Sequence, residues 1–380
     1  MEQVTHEELK VMIPHYYDKR IALFVMGRFG IGKSGVINDV AEKLAVTKGR
    51  KYVNWNRISK EQKIQVFNNP KDYFVMIDIR LSEYDSSDIK GLPMFMKSET
   101  AKDSIPFEAI EFKVPFWALL MTKKESAGVL FFDEINLSPP LVMSSCYKIL
   151  YDRNISDMAI DGEWGIFGAG NLDEDRAYTN QISPPLKDRA GEVELVGANA
   201  EKWTGWAIEH GIDTRIIGFL NFKNLALYKV DFNDKQKFTT HRGWERVSTL
   251  TKGIEDFKVL ELLSCSAISE GIAKEYVAWC KISQQIDLPS IIQNPEKIKQ
   301  IEEISIKWFI NTAVAEQYSN GKIKFDRVMA ITKVLDEIDN VELVAYLWKL
   351  CFGLTPNFRK EFLKSLDDDL VKKYTKYLIY

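Results

Sequence analysis

One short segment constrains this chain more than any other. Gly27-Arg28-Phe29-Gly30-Ile31-Gly32-Lys33-Ser34, followed by Gly35, fits the spacing G-x-x-x-x-G-K-[ST]. The wholly apolar run Ile21–Met26 precedes it, and Val36, Ile37, Val40 and Leu44 follow at the spacing of one helical face. A strand buried on both faces that turns through glycines into a helix belongs to a parallel sheet with crossover helices. The spelling has a chemical reason: backbone N–H groups can curl around phosphates where glycine permits both the dihedrals and the close approach. The start of the helix adds further N–H groups and the positive end of its dipole. Lys33 would reach the β- and γ-phosphates of a nucleotide, and the Ser34 hydroxyl would ligate Mg²⁺. The competing reading, a glycine turn with an incidental Lys-Ser, does not account for the strand before it or the helix after it.

A phosphate loop needs a carboxylate at a neighbouring strand end, and Val129-Leu-Phe-Phe-Asp133-Glu134 supplies one. Asp133 is expected at the carboxyl edge of a buried strand, where ligands bind in such sheets, to hold the metal. Glu134 is then placed to polarise water for attack on the terminal phosphate. Further strands are expected at Tyr73–Asp78, Ile166–Ala169 and Glu192–Val196, so the first half alternates strand and helix. From about Ala198 only helical patterns remain: around Trp203–His210, over Ile254–Ser283 as one or two helices, and over 298–318, 325–336, 341–351 and 357–366. Two prolines in Asp287–Pro295 mark a linker. The expected domains are therefore an α/β nucleotide-binding domain over 1–197, a helical lid over 198–286 and a helical extension over 287–380.

Composition narrows the alternatives. Lys and Arg number 51 against 54 for Asp and Glu, a formal charge of −3, so no overall basic bias advertises nucleic acid or an anionic membrane surface. The four cysteines lie far apart and the four histidines have no zinc-ligand spacing, which fits reduced thiols and a cytoplasmic protein without His/Cys metal chemistry. The start is acidic and lacks the apolar stretch of a signal peptide, and no apolar run is long enough to span a bilayer. One local basic segment, Lys43 to Lys63, interleaves Lys48, Arg50, Lys51 and Arg57 with Tyr52 and Trp55. It reads either as a solvated connecting loop, the favoured reading since Glu42 and Glu61 interrupt it, or as a single-stranded nucleic-acid surface.

Several blocks, taken in order, resemble the AAA+ ATPases, and among them the MoxR-like, helix-2-insert group. They are Gly27–Ser34, Ile77–Ser82 leading to Ser87–Pro93, Phe132–Asn136 with Ser138-Pro-Pro140, Gly168–Asn171, Pro185–Arg189, and Thr240–Val247. The resemblance runs from about Ile21 to Val247 and implies a parallel sheet of order 5-1-4-3-2, numbering the five strands along the chain, with a helical lid behind it. It implies ATP and Mg²⁺ as ligands. Asn171 resembles the sensor 1 residue that orients the attacking water, although an Asn after Ala-Gly can also be a turn former. Arg189 resembles the arginine finger that enters a neighbouring subunit's site; Ala190 departs from the phenylalanine common after it, and Arg176 and Arg153 remain alternatives. Arg242 resembles the sensor 2 arginine, with Arg246 competing, and a surface ion pair with Glu245 is the plainer reading.

The resemblance also implies a ring homo-oligomer, expected to be a hexamer, that remodels a protein client, commonly with a von Willebrand factor A-domain protein as partner. Met94-Phe95-Met96 and the charged stretch to Lys113 resemble the helix-2 insert, against a plainer reading as loop packing. Asn154–Trp164 fits a hairpin with Asp161-Gly162 near its turn. A nucleic-acid motor and a nucleotide-gated scaffold with little turnover are the rival functions; the intact Glu134 argues against the second.

Overall fold

The computed structural model of the 380-residue chain describes all residues except 98–107, 176–178, 233–236, 285, 366–368 and 376–380. The chain forms two compact units, Met1–Gly197 and Ala198–Tyr380. Among the described residues no helix is long and apolar enough to cross a membrane.

The first unit is built on a parallel seven-stranded sheet. Its strands are β1 (Glu2–Val4), β2 (Ala22–Met26), β3 (Lys51–Asn54), β4 (Tyr73–Arg80), β7 (Ala127–Asp133), β10 (Glu163–Gly170) and β11 (Ala190–Leu195). Two antiparallel pairs lie outside it, β5 (Leu92–Lys97) with β6 (Glu108–Lys113) and β8 (Asn154–Ile155) with β9 (Met158–Ala159). The order across the sheet is β1-β11-β2-β10-β7-β4-β3. The five strands predicted from the sequence are β2, β4, β7, β10 and β11, and they run in the expected order 5-1-4-3-2. Two edge strands extend that set. The start of the chain pairs with β11 through Glu2 and Val193, and β3 pairs with β4 from Lys51 and Tyr73 onward.

The central strands read as apolar runs because helices cover both faces, and β2 is buried at every position. Helix α1 (His6–Lys19) opens with a capping box between Thr5 and Glu8 and buries Leu9, Ile13 and Tyr17. Helix α2 (Lys33–Thr47) buries the stripe of Val36, Ile37, Val40, Ala41 and Leu44. Trp164 on β10 is wholly buried and donates its indole N–H to Ser126 Oγ at 2.8 Å, so its one polar atom is satisfied.

Three local expectations are corrected. Lys51–Asn54 is an edge strand and Lys60–Asn68 a helix, α3, with a Ser59 capping box, not a solvated loop. Met94-Phe95-Met96 belongs to β5 and pairs with β6, so it is a hairpin strand and not loop packing. Residues 98–107 of that expected insert lie outside the described residues. The second hairpin turns at Ser156, whose φ of 54° is left-handed, and Asp161-Gly162 instead leads into β10.

The second unit is helical around one continuous apolar core. After α4 (Ser86–Lys90), α5 (Phe116–Met121), α6 (Pro140–Ser145) and α7 (Pro184–Lys187) in the first unit, it begins with α8 (Ala200–Glu209), α9 (Thr214–Phe222) and α10 (His241–Thr251). The stretch 254–283 is two helices, Phe257–Ala267 and Glu270–Gln284. The expected linker holds a helix, Leu288–Gln293: Asp287 caps it from outside and Pro289 occupies a first-turn position whose N–H has no intrahelical use.

These burials predict a contrast. Trp164→Ala should lower unfolding stability by about 3–5 kcal/mol, through lost apolar contact and the cavity left behind. Phe95→Ser, at a side chain 87% exposed, should change it by less than about 0.5 kcal/mol. Urea unfolding followed by tryptophan-independent circular dichroism checks both.

Candidate phosphate and metal site

The carboxyl ends of β2, β10, β7 and β4 bring the expected residues to one edge of the sheet. Gly27 directly follows β2, its N–H donating to Gly170 O at 3.2 Å. The chain then turns through Gly30 (φ 72°) and Gly32 (φ 97°), left-handed positions that glycine adopts without a Cβ penalty. Ahead of them Arg28 points outward beside Glu174 at 3.7 Å, and between them Ile31 is buried as an apolar anchor. Phe29 donates its N–H to Asp175 Oδ2 at 2.9 Å. Gly32 caps α2 without a side chain, and the first-turn N–H groups of Lys33, Ser34 and Gly35 have no acceptor within the helix.

Lys33 is only 8% exposed. Its ammonium donates to Gly27 O at 2.6 Å, Arg28 O at 2.9 Å and Asn171 Oδ1 at 3.0 Å. A buried ammonium must find oxygens, and here it finds them in the loop and at the end of β10. Ser34 Oγ donates to Asp133 Oδ2 at 2.9 Å, which joins the first turn of α2 to the end of β7. Among the described residues no group of three His, Cys, Asp or Glu side chains is placed to hold a metal ion. Ser34 and Asp133 alone suit Mg²⁺, which takes one or two protein oxygens and fills the rest of its shell with phosphate and water.

Glu134 sits at a left-handed φ of 54°, a conformation that costs a non-glycine residue roughly 1 kcal/mol. Its N–H donates back to Asp133 Oδ1 at 2.9 Å. Its carboxylate accepts from Ser82 Oγ at 2.7 Å and lies 3.9 Å from Arg80 Nε. The strained backbone turns Glu134 away from β7 toward the end of β4.

Three residues at this edge were not expected from the sequence. Asn136 is buried and makes a reciprocal pair with Asn171, accepting from its N–H at 3.0 Å and donating to its carbonyl at 2.7 Å. Asn171 is therefore held in place with its side chain on Lys33, and turn formation alone does not describe it. Asp175 is buried against the loop, and burial raises its carboxyl pKa against the opposing pull of the Phe29 N–H and of Lys33 and Arg28. Asp78, two residues before the end of β4, lies on the same face as Asp133, one register step away, since Asp78 opposes Phe131 and Arg80 opposes Asp133. Burial first, and then the Asp133 charge, push the Asp78 carboxyl up to about 6, with Arg80 and Arg57 opposing. Asp78 carries the same signal that singled out Asp133, an acid at the end of an apolar run.

Arg189 lies between α7 and β11. Its Nη1 donates to Pro185 O at 3.2 Å, and its guanidinium lies over the rings of Tyr147 (5.6 Å) and Tyr151 (5.0 Å). Arg153 is committed elsewhere, donating to Trp164 O at 2.7 Å and Arg20 O at 3.4 Å near the amino ends of β10 and β2. Arg176 lies outside the described residues. In the second unit, Thr240 caps α10 by accepting from Gly243 N–H at 3.1 Å, and His241 is bonded to Ala198 O at 3.0 Å. Arg242 and Arg246 are both exposed on α10, and neither forms an ion pair among the described residues, so the plainer alternative for Arg242, a surface pair with Glu245, is not made there.

The basic segment is largely used inside the unit. Arg50 donates to Glu125 O at 2.8 Å and Pro70 O at 3.3 Å, Lys48 pairs with Glu163 at 2.9 Å, and Tyr52 donates to Asn38 at 2.6 Å. Trp55 is buried, with Lys63 over its ring at 5.4 Å. Stacking on nucleic-acid bases would need those rings exposed.

The raised Asp78 carboxyl fixes the sign of a pH effect. A group that holds its proton more tightly when folded makes stability fall as pH rises, here between about 4 and about 6. Without nucleotide or Mg²⁺, Asp78→Asn should remove that decline and leave the protein more stable at pH 7 by on the order of 1 kcal/mol, discounted for partial exposure. Thermal unfolding across that pH range measures it; parallel pH profiles for both proteins would contradict the assignment.

No protein-family model matches the chain, and no curated protein matches it. Among solved structures, it is similar to the RuvB Holliday junction branch migration motor of Thermotoga maritima at 12% identity, covering 95% of this chain and 74% of that one, with a TM-score of 0.26. It is also similar to the ORC2 protein of Aeropyrum pernix in ADPNP and ADP complexes, at 11% identity, 98% and 94% coverage and a TM-score of 0.35. Likeness to PCH-2 of C. elegans is comparable, at 11% identity, 81% and 67% coverage and a TM-score of 0.30. Superpositions at these scores add nothing to what the strand order and the loop already carry. On that topology, the first unit has a P-loop NTPase fold with its central strands in the order 5-1-4-3-2, followed by an all-helical unit.

Proposed function

We propose that this protein is a Mg²⁺-dependent ATPase of the AAA+ class that works as a ring-forming homo-oligomer. The observation that supports it best is the 2.9 Å hydrogen bond from Ser34 to Asp133, formed beside the buried Lys33 ammonium at one sheet edge. Two oxygens for a magnesium ion, one ammonium and a row of backbone N–H groups are what a triphosphate requires.

In this reading the loop from Gly27 to Gly35 binds the phosphates, with Lys33 exchanging some of its carbonyl partners for phosphate oxygens. Ser34 and Asp133 hold Mg²⁺, which when bound offsets the negative charge of the phosphates. Glu134 takes the proton of the attacking water at a carboxylate oxygen, after the Ser82 hydroxyl releases it. Asn171, fixed by Asn136, orients that water. Arg189 acts on the site of a neighbouring subunit, and Arg242 contacts the terminal phosphate in its own.

The finer reading is a MoxR-like, helix-2-insert ATPase, acting in the cytoplasm as a hexamer on a protein client, with a von Willebrand factor A-domain protein as partner. The apolar, exposed β5–β6 hairpin supports a protein client, since Phe95 and Ile110 face solvent opposite one another on its two strands. The domain division of 1–197, 198–286 and 287–380 belongs to the same proposal. A nucleic-acid motor is disfavoured by the internal use of Arg50 and Trp55.

Lys33→Ala should weaken ATP binding by about 100-fold or more, because charge-assisted phosphate contacts are the strong ones. Tight ATP binding by that variant would remove the site assignment. Glu134→Gln should retain ATP yet lose about 10²–10⁴ in turnover, and Arg189→Ala about 10³ with binding near normal. Calorimetry with ATP, steady-state phosphate release and particle size with and without Mg-ATP separate these outcomes.

A further inference from the structure

Arg189 is held without being neutralised. Its guanidinium lies over two tyrosine rings, Tyr147 at 5.6 Å and Tyr151 at 5.0 Å, and among the described residues only its Nη1 is hydrogen-bonded, to the Pro185 carbonyl at 3.2 Å. No carboxylate among the described residues pairs with it, whereas Arg28, Arg80 and Arg215 each have one. A carboxylate would fix a guanidinium too, but it would cancel the charge and occupy the donor edge. A ring face holds the cation by its quadrupole and leaves N–H groups directed outward.

The rings come from an unusual piece of backbone. Lys148–Asp152 is a π-helical turn between α6 and β8, closed by Arg153 at a left-handed φ of 52°. Such single turns shift side-chain direction and occur often at functional sites. Tyr147, just before the turn, is fixed by a hydrogen bond between its hydroxyl and that of Ser183, ahead of α7. Tyr151, within the turn, is 64% exposed, so its ring is open to solvent on the side away from the fold. The two rings come from the 147–151 segment and the Pro185 carbonyl from α7, so the guanidinium's place is determined by two elements.

We infer that Tyr147 and Tyr151 are positioning residues for Arg189: they form an aromatic cradle that presents an unneutralised guanidinium to an anion outside its own chain, the nucleotide phosphate of a second copy. The inference rests on the ATPase reading above and adds to it the residues that aim the trans-acting arginine.

The test compares Mg-ATP turnover by the full chain as wild type, Tyr147→Leu/Tyr151→Leu, Tyr147→Phe/Tyr151→Phe and Arg189→Ala. The leucine pair should lower kcat about tenfold while KM for ATP and nucleotide-dependent assembly stay within about twofold. The phenylalanine pair keeps both ring faces and should retain at least about half of the wild-type kcat. On the Arg189→Ala background the leucine pair should cost nothing further. Mixing the leucine-pair chain with Lys33→Ala chains, which keep an intact cradle, should restore turnover above the sum of the two alone. If the leucine pair does not assemble, Tyr151→Leu alone carries the test from its exposed position. Wild-type kcat in the leucine variants alongside a crippled Arg189→Ala overturns the cradle and leaves the ATPase reading intact, as does equal loss in the leucine and phenylalanine pairs. Wild-type kcat in Arg189→Ala overturns the finger and the cradle together. A wild-type chain that does not hydrolyse ATP overturns the parent reading instead.

Discussion

The buried ammonium of Lys33 organises the first unit's ligand edge. A charge withdrawn from water survives only inside a shell of oxygens, and three are supplied from two directions: Gly27 O and Arg28 O from the loop, Asn171 Oδ1 from the end of β10. That requirement explains why the loop curls back on itself, which in turn needs left-handed backbone at Gly30 and Gly32. It also explains the buried Asn136, whose two bonds to the Asn171 backbone leave that side chain little choice but to face the lysine. The loop, β10 and the segment after β7 thus share one polar network.

Beside that cation the sheet edge gathers acids. Asp78 and Asp133 lie on one face of neighbouring strands, with Glu134 next in the chain. Like charges so close are costly unless something offsets them, and the protein does so in part, with Ser34 on Asp133, Ser82 and Arg80 around Glu134, and a raised affinity for protons at Asp78. A bound divalent cation would offset them more fully, so the cluster is a strained arrangement whose relief coincides with ligand binding. The left-handed backbone at Glu134 has the same character: strain kept where it turns two adjacent carboxylates toward different partners, Ser34 for Asp133 and Ser82 with Arg80 for Glu134.

Much of this was legible in the sequence because it depends on burial in register. The five central strands are apolar along their length, and their order follows from the loop and the crossovers they imply. The two edge strands were not legible: Glu2-Gln-Val4 is three residues long, and Lys51-Tyr-Val-Asn54 is half exposed, so neither carries the apolar signature of a buried strand. Of the hairpins, β5–β6 was not legible because it shows apolar side chains to solvent, and β8–β9 lies within the expected 154–164 but turns earlier, since two-residue strands are too short to fix a turn by pattern. Among the site residues, Lys33, Ser34 and Asp133 are specified by a local spelling. Asn136 and Asp175 act through backbone groups of distant segments, and no spacing in the sequence records such a partner.

The basic stretch from Lys43 to Lys63 illustrates how one composition serves different ends. Alternating cations and aromatic rings can grip a single strand of nucleic acid, but only if ring faces and charges are both available to it. Here Arg50 instead satisfies carbonyls at the beginnings of neighbouring elements, Lys48 crosses to Glu163 and lies over Tyr17, and Tyr52 reaches back to α2 through Asn38. These contacts fasten the edge strand β3 and its flanks to the sheet, a need that arises because an edge strand has a neighbour on one side only. Neutralising Lys48, Arg50 and Lys51 together would therefore loosen the sheet edge, and a loss of nucleic-acid stimulation after that change would not identify a nucleic-acid motor. The exposed apolar side chains of the β5–β6 hairpin have no such internal use, and that asymmetry places the protein-client reading ahead of the nucleic-acid one.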